Sequence, residues 1–302
     1  MNSYCVVACR HPRAPRCACS GSTGRKVPAM SRPFSLAYLT IPGTPPPDQI
    51  RIAAECGYDC VSLRTIPMGL PEEPQLSLDK DPRLFASVRR ALEDSGVRLL
   101  DVELIRIRED LAIESFAPPL EKASELGARN ALCSIWSKDK RFYLDGFGRL
   151  CDLAARYGID VNLEFVTFAG VADLARAVEV LEATGRPNAR LLIDTLHAHR
   201  SRVRADDIAR LDPGLIALIH LCDGPGPIPS LEDPSMIGVA RAGRLYAGEG
   251  GIELAGMIKA MPAVPVSIEL PNEDETRARG PSGHARRCLE TARAYFAAHG
   301  IA

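Results

Sequence analysis

The 302-residue chain is 46% hydrophobic, enough to bury one barrel-sized domain or two ordinary ones. Its 37 basic residues nearly cancel its 38 acidic ones, which excludes the strong positive field of a phosphate-tracking nucleic-acid binder and makes a small-molecule partner the expectation. No apolar run approaches the roughly 18 residues of a membrane span, and no signal-peptide pattern opens the chain, so no membrane partner and a cytoplasmic protein are expected.

Residues 1–30 stand apart: Arg10, Arg13, Arg16, Arg25 and Lys26 alternate with proline, serine and glycine, and no acid precedes Asp48. The segment reads as a disordered or non-native extension upstream of an alternative start at Met30, outside the fold. Its Cys5, Cys9, Cys17 and Cys19 have C-x3-C and C-x-C spacings that fit zinc-ligand patterns poorly. Cys56, Cys60, Cys133, Cys151, Cys222 and Cys288 sit singly in apolar segments and read as small buried hydrophobes.

From Phe34 onward one pattern recurs: a short apolar run, a polar turn, a stretch of helical period, and often a glycine stop. The spacing predicts eight strands, at 34–40, 60–66, 98–107, 130–136, 160–166, 189–195, 215–222 and 265–270. Between them apolar residues fall on one helix face, as in Leu84/Val88/Ala91/Leu92, Leu174/Ala177/Val178/Leu181 and Ala285/Leu289/Ala292/Phe296. Strands apolar on both faces fit a parallel sheet covered by helices. No glycine-rich nucleotide loop follows any of them, which favours a single closed (β/α)8 TIM barrel over residues 34–302 against an open doubly wound sheet. The longest connection, 223–251, carries Pro225, Pro227, Pro229 and Pro234 and reads as a lid or substrate loop.

Chemistry in such barrels gathers at the C-terminal strand ends. Four consecutive apolar runs finish on a metal-competent side chain: Val161-Asn162-Leu163-Glu164, Leu191-Leu192-Ile193-Asp194, Ala217-Leu218-Ile219-His220 and Val266-Ser267-Ile268-Glu269. A single carboxylate there is readily explained by backbone hydrogen bonds or an arginine partner. Three of them converging in a partly desolvated mouth repel one another, and a divalent cation relieves that repulsion. Three oxygen donors and one imidazole suit Mn2+, Mg2+, Co2+ or Zn2+.

These stretches, with Ile193-Asp194-Thr195-Leu196-His197-Ala198-His199-Arg200, Ile219-His220-Leu221-Cys222-Asp223, Gly248-Glu249-Gly250 and Ser267-Ile268-Glu269-Leu270-Pro271, resemble the xylose isomerase-like TIM-barrel superfamily, the sugar phosphate isomerase/epimerase group. The likeness runs from about Phe34 to the C-terminus. It implies Glu164, Asp194, His220 and Glu269 as metal ligands, His197 facing the substrate, and Arg244 as a loop arginine reaching a substrate oxygen or carboxylate, with Ala247 standing where relatives often have proline. Glu103, at the matching place on the third strand, is open to two readings, hydroxyl binding or an ion pair; His199 reads as structural.

The expected substrate is a polyhydroxylated carbonyl compound, isomerised or epimerised through an enediolate, with Glu164 and Glu269 exchanging the proton and His197 orienting a substrate oxygen. The alternative is a dehydratase of a cyclic keto-polyol, of dehydroshikimate or inosose type, with His197 as base; the Leu221-Cys222-Asp223 stretch and the proline-rich loop resemble that branch. An abasic-site endonuclease on the same fold would need more ligands and a basic face, and a non-catalytic barrel would lack the metal. A homo-oligomer is compatible with the sequence, which marks no interface.

Overall fold

The computed structural model describes residues 32–68 and 74–302; the four N-terminal cysteines and the extension reading therefore lie outside the described residues. Eight parallel strands pair in chain order: β1 (Phe34–Leu36), β2 (Cys60–Arg64), β3 (Arg98–Ile107), β4 (Asn130–Ile135), β5 (Asp160–Glu164), β6 (Ala189–Asp194), β7 (Ile216–Leu221) and β8 (Val266–Ile268). Phe34 pairs with Val266 and Leu36 with Ile268, which closes the sheet into the expected TIM barrel.

Helices wrap the strands, and local sequence explains where they begin. In helix Pro82–Ser95 the Asp81 side chain accepts from the N–H groups of Arg83 and Leu84, and Pro82 occupies the first turn, where its missing donor costs nothing. Asp139 and Asp173 cap helices Lys140–Ala155 and Leu174–Thr184 in the same way. At Gly57, after helix Pro46–Cys56, φ is 87°, a conformation that a Cβ-bearing residue adopts only with strain. The final helix, Glu273–His299, is kinked at Gly280 before Pro281, and its Phe296 packs against Phe34 with ring centroids 5.4 Å apart. Among the described residues, no helix is long and apolar enough to cross a membrane.

The first strand is shorter than its apolar run suggests, because Tyr38–Thr40 turns into a 3-10 helix. The Thr40 hydroxyl explains the break: it donates to the Ile268 carbonyl at 2.7 Å and accepts from the Leu270 N–H at 3.0 Å, standing in for backbone ladder bonds.

The barrel interior is divided. Leu132, Leu192 and Leu218, with Leu104, form an apolar cluster from β3, β4, β6 and β7. Ser35, Ser62 and Ser267 on β1, β2 and β8 bring their hydroxyls within 3.1 Å of one another in a chain. Outside the barrel, strands and helices share a continuous core that includes Phe147, Leu163 and Ile219. Each such side chain contributes roughly 1.5–3 kcal/mol by leaving water. Of the six described cysteines all are unpaired and five are buried, as the sequence suggests.

Candidate active site

Glu164 and Asp194 are the last residues of β5 and β6, His220 lies one residue before the end of β7, and Glu269 follows β8 directly. Asp194 and His220 are register partners, and the Glu269 N–H continues the ladder to the Leu221 carbonyl at 3.1 Å. Parallel pairing thus sets all four side chains at one height. One potential ligand atom from each lies within 4.8 Å of the others, and all four residues are buried.

Burial pushes the Glu164 carboxyl up to about 7, with the neighbouring Glu269 charge adding to the effect. Burial alone would raise Glu269 too, but His220 and Arg244 hold it well below the usual carboxylate range. His220 lies 3.4 Å through Nδ1 from both Glu164 Oε1 and Glu269 Oε2, and these carboxylates overcome burial to hold its imidazole strongly toward the charged form. Neither His220 nitrogen nor Glu164 Oε1 has a hydrogen-bond partner. Orphaned buried donors and acceptors facing one another are costly unless something fills the space between them. A proton on His220 is one response to this negative potential; a shared cation is another, and the donor set fits Mn2+, Mg2+, Co2+ or Zn2+.

Arg244 is no solvated loop arginine. It is fully enclosed and donates to Asp194 Oδ2 at 2.5 Å, Glu269 Oε2 at 2.9 Å and the Glu269 carbonyl at 3.1 Å. Its guanidinium pairs with two candidate ligands, and on Glu269 it meets the same Oε2 that lies 3.4 Å from His220 Nδ1. His197 sits in the short helix Thr195–Arg200, capped by Asp194 Oδ1, which accepts the His197 N–H at 2.9 Å. Its ring lines the cavity beside Phe168, 5.6 Å away edge-on, and burial lowers its pKa to about 4. His199 Nε2 donates to the Gly226 carbonyl at 2.9 Å, the structural role expected of it.

Glu103, open in the sequence to hydroxyl binding or an ion pair, faces Arg64. It is fully buried, accepts from Arg64 at 2.7 Å and from the Tyr38 N–H at 3.3 Å, and does not line the cavity. Arg64 does line it. That residue ends β2 just as Glu164 ends β5, so extending the strand-end search from metal ligands to any ionisable residue would have found it. Arg106, Trp136 and Phe168 were also missed, since nothing in their spacing marks them as cavity walls.

The cavity holds about 500 Å³, within the usual range for small-molecule sites. The long connection helps to form it through Ala240, Arg241 and Arg244, around helix Ser235–Ala242. Two buried anchors fix this segment. Asp223 accepts from the N–H groups of Gly248 and Gly250 at 3.0 Å and of Ile252 at 3.1 Å. Arg200 donates to the carbonyls of Met236 and Ser235.

A relative from Bacillus velezensis, named inosose isomerase, is 29% identical over 240 residues, covering 73% of this chain and 81% of the relative. Another protein of that name, from Halalkalibacterium halodurans, is 29% identical over 128 residues, covering 41% of this chain and only 43% of the relative's length. Among solved structures, an IolI protein with a bound zinc atom superposes with a TM-score of 0.73 at 19% identity, over 88% of this chain and 99% of that one. The family model described as xylose isomerase-like TIM barrel matches residues 50–292, and the chain belongs to that family.

Proposed function

We propose that this protein is a divalent-metal-dependent isomerase or epimerase of a polyhydroxylated carbonyl compound. The observation that carries this reading is the buried quartet of Glu164, Asp194, His220 and Glu269, with orphaned ligand atoms at the edge of a small-molecule cavity. The relatives named inosose isomerase support the same reaction class. Glu164, Asp194, His220 and Glu269 would hold the ion, which when bound supplies Lewis-acid stabilisation of negative charge on the substrate's carbonyl oxygen.

The protein's own groups do the rest. Glu164 and Glu269 both line the cavity and are the acids placed to take a proton from the carbon beside the carbonyl and to return one. His197 contributes as a neutral imidazole. The Thr167 N–H points at its Nδ1 at 3.4 Å and the Thr167 hydroxyl lies 3.0 Å from the same nitrogen; on the proposed reading Nδ1 accepts from both and the Nε2 proton donates to a substrate oxygen. In the dehydratase alternative His197 would instead act as the base.

The test is incubation of the metal-supplemented protein with ketoses, keto-inositols and dehydroshikimate in deuterated water, followed by NMR. Deuterium at the carbon beside the carbonyl, with isomer formation, is the expected result. Loss of water with formation of an alkene would replace the isomerase by the dehydratase.

A further inference from the structure

Between β5 and helix Leu174–Thr184 the chain makes a tight turn at the cavity wall. The Ala169 N–H donates to the Val166 carbonyl at 2.7 Å and the Val166 N–H to the Val171 carbonyl at 3.1 Å, which closes the turn on itself. The turn is also tied to the neighbouring strand: the N–H groups of Gly170 and Val171 both donate to the carbonyl of Ile135, the last residue of β4, at 2.9 and 3.2 Å. A Cβ at Gly170 would collide with the Ser137 carbonyl oxygen, so glycine lets the two backbones approach. The result is a locked shelf that carries Thr167 and Phe168.

Both residues meet the ring of His197. The Thr167 hydroxyl lies 3.0 Å from Nδ1, the Thr167 N–H points at the same nitrogen at 3.4 Å, and the Phe168 ring centroid lies 5.6 Å away, edge-on. The backbone of His197 is held from elsewhere, by Asp194 Oδ1 at the end of β6. Two separate elements therefore clamp the backbone and the ring. A backbone N–H can donate and cannot accept, so a ring nitrogen facing one is placed to accept; a hydroxyl can do either, and here it adds a second donor to the same lone pair.

We infer that Thr167 is a positioning residue: its hydroxyl, added to its N–H, holds His197 in the tautomer with the lone pair on Nδ1 and the proton on Nε2. His197 then serves an acceptor oxygen of the substrate, the carbonyl or the oxygen on which negative charge develops. What His197 does to the substrate rests on the isomerase reading; its tautomer rests on the turn.

Thr167→Val keeps the shape and the N–H and removes the hydroxyl, and Thr167→Ser restores it. In the Mg2+-supplemented full chain labelled with 15N-histidine, long-range 1H–15N NMR spectra report which nitrogen of each ring bears a proton, the His197 signals being those missing from His197→Gln. Wild type is expected to show protonated Nε2. In Thr167→Val the Nδ1 resonance should move toward that of a lone-pair nitrogen without a donor, and Thr167→Ser should move it back. Deuterium exchange into the carbonyl substrate should show kcat lower by roughly tenfold in Thr167→Val, the worth of about one hydrogen bond. KM should stay within about twofold, since the hydroxyl touches His197 and not the substrate. A proton on Nδ1 in wild type, an unmoved Nδ1 resonance or unchanged kcat in Thr167→Val, or a serine variant no better than valine would overturn the assignment. The expected spectra without exchange into any carbonyl compound would sink the isomerase reading and leave the Thr167 clamp standing; exchange at the wild-type rate in Thr167→Val would do the reverse.

Discussion

On the β2–β3 side of the barrel mouth Glu103 has a donor for each oxygen, Arg64 at 2.7 Å and the Tyr38 N–H at 3.3 Å, although Asp101, two residues earlier on β3, is buried with neither oxygen hydrogen-bonded. On the β5–β8 side three buried acids share one imidazole and one guanidinium, and Glu164 Oε1 and both His220 nitrogens have no hydrogen-bond partner. Both regions bury glutamate beside arginine at the strand ends of one barrel. Their difference separates an acid whose two oxygens each have a donor from a cluster in which buried ligand atoms are left without one, and on the proposed reading a cation would make that second burial of charge tolerable.

The contrast can be broken most directly at Glu269. Glu269→Gln keeps the volume and removes a charge, and turnover should fall by roughly 10^2 to 10^4-fold or more; undiminished deuterium exchange would remove Glu269 from the proposed chemistry. Next comes Arg244→Leu. In metal-free protein this change leaves Asp194 and Glu269 buried without their guanidinium and should cost about 3–5 kcal/mol in denaturant unfolding. Added Mn2+ should restore part of that loss, because the ion neutralises the same two acids. Glu103→Gln should cost a little less, about 2–3 kcal/mol, since an amide still accepts one hydrogen bond, and here Mn2+ should restore nothing. Equal metal rescue of both variants would erase the distinction between the two regions. The smallest effect is expected from chelation of the wild-type protein, with a fall in melting temperature on the order of 5 °C, from the loss of linkage between ion binding and folding. A melting curve indifferent to both chelator and added metal would argue against the cation.

The barrel and the four-residue cluster were legible because both follow from short-range rules. Apolar runs mark buried parallel strands, and a residue that ends such a run faces the mouth, so Glu164, Asp194, His220 and Glu269 could be aligned without knowing any distance. Arg244 was legible as a candidate and illegible as a contact. It comes from the long connection after β7, and its grip on Asp194 depends on how that segment folds back, with Asp223 collecting the loop N–H groups. The ambiguity at Glu103 had the same origin, since its partner Arg64 belongs to a different strand and only register brings Arg64 and Glu103 side by side. The early end of β1 was hidden because the sequence does not reveal that the Thr40 hydroxyl replaces a backbone partner.

Asp194 divides its carboxylate between two duties, one oxygen holding the start of the helix that carries His197 and the other holding Arg244. A third partner at this carboxylate would tie the placement of the imidazole, the guanidinium and the ion to a single short side chain. An added methylene could not serve all three, because the reach that suits the helix start would overshoot the mouth. Position 194 is therefore the point where the spectrum of acceptable residues should narrow to one, even though glutamate is admitted at two neighbouring corners of the same cluster.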